Sequence, residues 1–268
     1  MLNMIDKIKD IPTIFVGYDP REETAYHVLK YSALKHTSGP INIFPINQDK
    51  MRRIGLYRRA WKLGSSTLPE PKSKEDIQHK DLFDEKPFAT DFSFTRFLVP
   101  FLNRFEGWAL YMDCDMFFRS DPLEIFKKFN DTKYAIYCVK HNYNSHDKVK
   151  MYGNSQYQYS RKFWSSFVMY NCSHPSHNNL TIDDVNTKEG RWLHNFKWLA
   201  DEDIGDLPEE WNWLDGYSSS KIDAKNVHFT RGGPWFRDKS WKPKTNQDEI
   251  YSNEWIDLKK NFLKEISK

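Results

Sequence analysis

The chain has 268 residues, and its 40 basic against 37 acidic residues give a formal charge of +3, a balance too even for a nucleic-acid binder. Ten tryptophans, 14 tyrosines and 19 phenylalanines raise the aromatic content to 16%. Such rings suit the recognition of sugars and bases, and they equally suit a large core.

Cysteine usage and the N-terminus bear on the cell compartment. Cys114, Cys138 and Cys172 are too few and too widely spaced for a disulfide framework or a C-x-x-C metal site, which favours reduced thiols in a cytosolic protein. The first ten residues contain no long apolar stretch, so the sequence predicts no signal peptide. No run approaches the ~20 apolar residues of a spanning helix. We therefore expect a cytoplasmic protein without a transmembrane segment.

The chain opens with a strand, a helix and a second strand. The apolar, β-branched run at 11–19 predicts a buried strand that ends near Gly17 and Asp19. Apolar residues at helical spacing over 21–36, with acidic residues in the first turn, predict a helix. The run 41–46 predicts another strand. This order is typical of a βαβ unit, so we expect an α/β fold built on a mostly parallel sheet flanked by helices.

The rest of the chain continues the same alternation after one interruption. Residues 47–90 are polar and broken by prolines, and we predict a long irregular excursion there, of a kind that is often functional. No internal repeat or domain break is evident, so we expect one domain over 1–268. Further predicted elements are helices over 91–105, after Ser120, over 181–187, over 190–196 and in the tail 237–268, and strands over 108–112, 134–139, 165–171 and 225–229.

The strand at 108–112 ends in two carboxylates, Asp113 and Asp115. Open α/β sheets bind ligands at the carboxyl ends of their strands, and residues i and i+2 of a strand share a face. Two carboxylates this close repel each other unless a cation lies between them. Mg²⁺ and Mn²⁺ prefer oxygen ligands and bring phosphates with them. The pattern favours a metal diphosphate site, although a turn cap beside a solvated Asp115 would give the same residues.

The segment Y-M-D-C-D-M-F-F-R-S-D-P resembles the D-x-D segment of retaining, metal-dependent glycosyltransferases of the GT-A fold. The resemblance is strongest to family eight, whose enzymes are similar to glycogenin and to the bacterial lipopolysaccharide galactosyl- and glucosyltransferases. The resemblance covers roughly residues 12 to 236. Five other segments resemble family motifs in the same order: F-V-G-Y-D (15–19), S-F-T-R-F-L-V-P (93–100), W-S-S-F-V-M-Y-N (164–171), L-A-D-E-D-I-G (199–205) and V-H-F-T-R-G-G-P-W (227–235).

This resemblance implies a GT-A enzyme that transfers a hexose, with retention, from a nucleotide diphosphate sugar that is UDP-linked. It implies that Asp113, Asp115 and His228 hold Mn²⁺ or Mg²⁺. It also implies a set of donor-contacting residues drawn from four motifs: Gly17, Tyr18, Asp19, Arg96, Asp113, Cys114, Arg231, Gly232 and Gly233. Ser165 and Ser166 would leave room for the sugar. The acceptor, whether glycan, lipid-linked or protein, is not assigned.

Two departures from the family pattern affect these roles. The late motif is one residue short and has Gly233 where the family has a lysine that neutralises the diphosphate. Arg231 is the first candidate to replace that lysine, with Arg237 and Lys239 as others. The D-Q-D segment of the family is D-E-D here, so Glu202 replaces a neutral amide.

The acidic triplet is the predicted catalytic group. Glu202 is the expected nucleophile or oxocarbenium stabiliser, and Asp201 and Asp203 are expected to bind sugar hydroxyls. A solvated acidic helix start would produce the same residues. Trp211, Trp213 and Trp235 could form an acceptor platform or belong to the core.

Two other functions stay open from the sequence. A metal-dependent nucleotidyltransferase or phosphotransferase would use the same acidic pair without a sugar. A non-catalytic glycan- or protein-binding module could occupy the same scaffold.

Overall fold

A computed structural model describes residues 11–64, 78–143, 160–236 and 250–267 of the chain. At its centre lies a six-stranded sheet in which every strand runs in the same direction except β9, which pairs antiparallel with both neighbours. The predicted α/β fold with a mostly parallel sheet is therefore confirmed. From edge to edge the strands are β10 (Ile204–Asp206), β8 (Ile136–Cys138), β9 (Phe167–Asn171), β6 (Trp108–Asp113), β1 (Thr13–Tyr18) and β2 (Asn42–Asn47).

The βαβ unit forms as the N-terminal pattern predicts. After β1, the Asp19 side chain accepts a hydrogen bond from the amide of Arg21 and caps a 3-10 turn, Pro20–Glu22. Helix α1 (Glu23–His36) follows and buries Leu29 and other apolar residues at helical spacing. The chain then returns as β2, parallel to β1. Burial of this apolar face is what stabilises the helix on the sheet.

The segment 47–90 differs from the irregular excursion that we expected. It contains α2 (Gln48–Arg53) and an antiparallel sheet of β3 (Trp61–Gly64), β4 (Gln78–Asp81) and β5 (Pro87–Phe88). Residues 65–77 lie outside the described part. Cross-strand ring contacts hold the small sheet, with Trp61 4.3 Å and Phe88 5.3 Å from His79. The hairpin of β4 and β5 was not predicted because its strands, of four and two residues, are too short to show an alternating apolar pattern among the polar residues and prolines.

A second small sheet extends beyond the end of β6. It consists of β7 (Met116–Phe118), β11 (Trp213–Leu214) and β12 (Asn226–His228). β12 lies antiparallel to β7, and His228 is directly opposite Met116. Two segments more than 100 residues apart in sequence are thereby joined immediately after the D-x-D motif.

The remaining helices are short except the last. The predicted helix over 91–105 forms only a 3-10 turn, Thr95–Leu98, and a single turn of α-helix, and it ends before Arg104 and Phe105, whose positive φ of 57° is not helical. No helix in the described ranges is long and apolar enough to cross a bilayer. The tail forms a helix as expected, while 237–249 lie outside the described residues. The helices are α3 (Val99–Leu102), α4 (Leu123–Lys128), α5 (Ile182–Thr187), α6 (Gly190–His194) and α7 (Ser252–Ile266).

All three cysteines are buried, and none forms a disulfide. Burial raises the pKa of the Cys138 and Cys172 thiols to about 12 and raises that of Cys114 well above its ordinary value. Thiolates, the reactive form, are therefore scarce in the folded chain.

Candidate active site

The predicted metal ligands converge at the carboxyl end of β6. Asp113 is the last residue of that strand, a two-residue turn follows, and Asp115 precedes β7. One ligand atom each of Asp113, Asp115 and His228 lies within 4.8 Å of the others. Two carboxylates and an imidazole are a donor set that suits Mn²⁺ and accommodates Mg²⁺. The residues present therefore fit a divalent ion.

Asp113 is held by two neighbours. Arg96 approaches its Oδ1 at 3.2 Å, and the Tyr111 hydroxyl donates to the same oxygen at 2.7 Å. Burial raises the pKa of Asp113, and the Arg96 guanidinium and the Tyr111 hydroxyl oppose that rise. Arg96 also donates to the carbonyl oxygen of Ser165 at 2.9 Å. Arg96 therefore orients Asp113, while the donor contact expected of it stays a prediction.

His228 is positioned from β12 and from the turn before β11. Its Nε2 lies 3.3 Å from Asp115 Oδ1, and its Nδ1 lies 2.9 Å from the side-chain oxygen of Asn212. Asn212 in turn donates to Ser166 Oγ at 3.0 Å. The sequence analysis missed Asn212. A buried asparagine beside Trp211 is the signal that could have identified it, because buried polar side chains need partners.

A cleft opens beside Asp113, Asp115 and His228, the three predicted metal ligands that we call the metal cluster. Three parts of the chain form the far end of this cleft. The β4–β5 turn contributes Asp84 and Lys86, and α6 contributes Arg191 and His194. Ser165 and Ser166, which precede β9, line the cleft as the resemblance implies. The Ser165 hydroxyl lies 2.8 Å from Nδ1 of His194. A chain of contacts therefore runs from α6 through Ser165 and Arg96 to the metal cluster.

Asp84, Lys86, Arg191 and His194 were not anticipated from the sequence. The first two come from the segment that we expected to be irregular, and the last two from a helix whose chemistry the sequence analysis left unassigned. Only the three-dimensional meeting of this hairpin with α6 gives these side chains a common surface. No spacing in the sequence encodes that meeting.

The residues expected to hold the nucleoside differ in what they offer. Both Asp19 carboxylate oxygens are occupied by Arg21 and by the Asp91 amide, and the side chain is fully buried. The structure therefore does not support the donor contact expected of the Asp19 side chain, which is used within the chain. A side chain at Gly17 would overlap the Tyr111 hydroxyl, so close packing requires a glycine at this position. Tyr18 is partly exposed, and its nucleoside contact stays a prediction.

Two of the residues predicted to contact the diphosphate, Cys114 and Gly232, also have groups that are engaged within the chain. Cys114 points into the core, 3.5 Å from Glu22, so only its backbone can face a ligand. The Gly232 amide donates to the Phe229 carbonyl at 2.8 Å in a turn with φ of 86°, which leaves it engaged within the chain.

Gly233 and Arg231 also lie close to aromatic rings. A Cβ at Gly233 would overlap the Trp235 ring, so a glycine is required there by packing. Arg231 is buried with its guanidinium carbon 5.7 Å from the centre of the Tyr217 ring. The prediction that Arg231 neutralises the diphosphate in place of the family lysine stays a prediction. The other two candidates, Arg237 and Lys239, lie outside the described residues.

The structure does not place the acidic triplet in the site. Asp201, Glu202 and Asp203 form a 3-10 turn before β10, whereas the metal ligands follow β6. These two strands run in the same direction, so the triplet lies at the opposite edge of the sheet, roughly 20 Å from Asp113 by strand spacing and rise. Asp201 pairs with Arg161, and Asp203 accepts from Ser176. The expected catalytic position is thus corrected, and we propose no catalytic role for these residues.

The three tryptophans belong to packed clusters. Trp211 and Trp213 are at most 1% exposed and cannot stack on an acceptor. Trp235 packs against Trp255 and Phe229, with ring centres 5.3 and 5.9 Å away. For Trp211 and Trp213 the core is the alternative observed, whereas Trp235 is partly buried and its place in an acceptor platform stays a prediction.

Comparison with known proteins finds both a sequence relative and structural neighbours. Protein CDI of Arabidopsis thaliana is 40% identical over 260 residues, which cover 95% of this chain and 88% of that protein. No family model matches the sequence. The glycosyltransferase GlyE of Streptococcus pneumoniae TIGR4 superposes with a TM-score of 0.51 at 16% identity, over 95% of this chain. The chain spans 62% of the length of that structure.

A second structure matches over nearly its full length. An active-site mutant of LgtC superposes with a TM-score of 0.50 at 10% identity, covering 93% of this chain and 95% of that one. At such low identity the likeness shows the fold. The chain therefore has the GT-A fold that the D-x-D resemblance implied.

Proposed function

The chain belongs to the family of Protein CDI and has the GT-A fold, and from this premise we propose that it is a glycosyltransferase. It would move a hexose from a nucleotide diphosphate sugar, UDP-linked and with retention, to an acceptor. The observation that carries the proposal is the meeting of Asp113, Asp115 and His228 at the end of β6, at one side of an open cleft. We also propose that residues 1–268 form a single catalytic domain.

The metal ligands would serve the leaving group. Asp113, Asp115 and His228 would hold Mn²⁺ or Mg²⁺, and such an ion supplies a Lewis acid that stabilises the negative charge developing on a diphosphate. Arg96 keeps the Asp113 carboxylate oriented and adds a fixed positive charge beneath it. Tyr111 donates to the same carboxylate and so keeps one of its oxygens in place.

The sheet order supports a proposed orientation of the donor. β1 lies on one side of β6 and β9 on the other. If the diphosphate lies at the end of β6 and the nucleoside near Tyr18 on the β1 side, the sugar lies on the β9 side, where Ser165 and Ser166 leave space. Aromatic walls there, including Phe94 and Phe163, would limit the access of water to the sugar.

Calorimetry with nucleoside diphosphates, with and without Mn²⁺, tests the proposal. We expect micromolar binding of one nucleotide, UDP first, that is lost without metal and lost in Asp115→Ala. Asp257→Ala, which removes an exposed carboxylate from α7, serves as the matched control and should bind as the wild type does. Donor hydrolysis would then be measured with the matching sugar nucleotides.

Two results would contradict the proposal. If no nucleoside diphosphate binds with any divalent ion, the site is not a donor site. If a nucleotide binds but no sugar nucleotide is ever hydrolysed or transferred, while a phosphoryl or nucleotidyl group is, the reaction belongs to the alternative class.

A further inference from the structure

The hairpin turn between β4 and β5 is anchored firmly to the rest of the fold. Arg59 binds Asp81 through two hydrogen bonds, of 3.1 and 2.5 Å, and both side chains are 1% exposed. Arg59 also donates to the carbonyl oxygen of Val185 at 3.2 Å. A side chain carried by the following turn is therefore presented from a rigid base, as a recognition residue requires.

That turn directs Asp84 toward α6 and the cleft. One Asp84 oxygen accepts from the Gly190 amide at 2.7 Å, and the other accepts from the Lys86 amide at 2.9 Å. A carboxylate offers about four acceptor positions. Its orientation is fixed by the two amides, and each oxygen keeps capacity for one more donor.

Asp84 differs in role from the other acids of the cleft. Among the described residues that line it, three are acidic: Asp84, Asp113 and Asp115. The last two belong to the metal cluster. Among the described residues that line the cleft, Asp84 is thus the acid that lies outside the metal cluster and can contact an organic group.

Its position is on the sugar side of the cluster. Asp84 is bonded to the first residue of α6, and α6 is bonded through His194 to Ser165. Ser165 precedes β9, on the side of β6 away from β1. The nucleoside side and the Asp84 side therefore lie in opposite directions from the metal ligands.

We infer that Asp84 recognises the sugar of the donor and selects a neutral hexosyl group over a uronosyl group. Its free acceptor positions bind sugar hydroxyls, and its negative charge opposes a sugar carboxylate. Because the inference rests on the proposed function, its test must separate sugar recognition from nucleotide binding.

The test compares UDP, UDP-glucose, UDP-galactose and UDP-glucuronate by calorimetry in Mn²⁺, for the wild type and Asp84→Asn. We expect UDP affinity to change by less than about twofold, because the metal and nucleoside contacts remain. The affinity of the preferred neutral donor should fall about 10-fold, and the ratio of uronosyl to neutral donor affinity should rise about 10-fold. KM measured from donor hydrolysis should follow the same order.

Two further variants keep the result interpretable. Glu85→Gln removes a charge from the same turn without touching the cleft and should leave every ratio unchanged. Asp84→Glu keeps the charge but moves it by one methylene, so it should lose neutral-donor affinity while still excluding UDP-glucuronate. Thermal unfolding of all three verifies that they are folded.

The outcomes divide cleanly. If Asp84→Asn weakens UDP and every donor alike, or leaves the ratios unchanged, Asp84 only supports the turn and the inference is wrong while the proposed function stands. If the wild type binds no nucleotide at all, the proposed function fails and the inference falls with it.

Discussion

The side-chain oxygen of Asn212 lies 2.9 Å from Nδ1 of His228. The other end of that amide donates to Ser166 Oγ at 3.0 Å and faces the Phe163 carbonyl oxygen at 3.5 Å, a group that can only accept. The amide orientation is thus fixed, and Nδ1 of His228 carries the proton. The lone pair is then on Nε2, the nitrogen that faces Asp115, as a metal ligand requires.

This relationship predicts that Asn212→Ala weakens Mn²⁺ binding about 10- to 100-fold, because the imidazole loses the partner that sets its tautomer and angle. Metal titration followed by calorimetry measures the effect. Asn226→Ala is the matched control, since Asn226 is an equally buried amide that bonds the Trp211 carbonyl instead of His228. Equal losses in both variants would mean that general destabilisation, rather than ligand positioning, explains the result.

The buried pair of Arg59 and Asp81 predicts a large asymmetry between single and double substitutions. Arg59→Met should lower the free energy of unfolding by about 3–5 kcal/mol, because it leaves a buried carboxylate without its cation. Arg59→Met with Asp81→Leu should recover much of that loss. Urea unfolding provides the measurement.

Lys260→Met supplies the comparison, because it breaks an exposed pair with Asp257 and should cost at most about 0.5 kcal/mol. A cost of Arg59→Met no greater than that of Lys260→Met would show that the pair does not anchor the hairpin. Faster amide exchange in the β4–β5 turn should accompany the loss of stability.

Asp91 predicts a pH dependence of stability. Burial, and next the Asp19 charge, raise the pKa of Asp91 to about 6, against about 3.9 in an unfolded chain. The folded state therefore holds the Asp91 proton more tightly between these values, so the contribution of Asp91 to stability is fully present below about pH 4 and is lost as pH rises through about 6. Asp91→Asn should remove about 1–2 kcal/mol of that decline between pH 4 and pH 7.

Urea unfolding of both proteins at several pH values checks this expectation. Glu202→Gln, at an exposed carboxylate, provides the control and should keep the slope of the wild type. A wild-type slope that persists in Asp91→Asn would assign the pH dependence to other groups.

Gly17 predicts a link between packing and the metal site. In Gly17→Ala the new methyl would meet the Tyr111 hydroxyl and lie 2.7 Å from Phe92 Cγ, which should cost about 1–3 kcal/mol of stability. Because Tyr111 donates to Asp113, metal affinity should fall as well.

Gly39→Ala is the matched comparison. Its methyl would approach only the end of the flexible Leu123 side chain, at 3.2 Å, so stability should change little. Unfolding and metal titration on both variants decide the matter. Intact metal affinity in a destabilised Gly17→Ala would separate the two effects.

The sequence was sufficient for the architecture and for the proximity of the two D-x-D carboxylates. Apolar runs identified the central strands. The short D-x-D spacing predicted that Asp113 and Asp115 lie together, and they do so across the turn that follows β6 rather than on one face of a strand. His228 depended on resemblance, since nothing local in 225–229 shows that β12 pairs with β7. Long-range pairing of short strands is the part that local pattern does not encode.

The end of the cleft formed by the β4–β5 turn and α6 was predicted poorly for a related reason. An acidic triplet at 201–203 matched a motif, yet the strand that follows it starts at the opposite edge of the sheet. Asp84 had no motif, and its position depends on the Arg59 anchor and on the Gly190 amide. A short motif fixes residue types but not the edge of the sheet at which they emerge.

The burial of all three cysteines has a practical consequence for studying the enzyme in motion. Because Cys114, Cys138 and Cys172 are at most 1% exposed and their thiols hold their protons, maleimide dyes should leave the native chain almost unlabelled. A cysteine introduced at exposed Glu85, beside the cleft, would then accept a fluorophore selectively. The wild-type background is ready for single-site spectroscopy without any cysteine being removed.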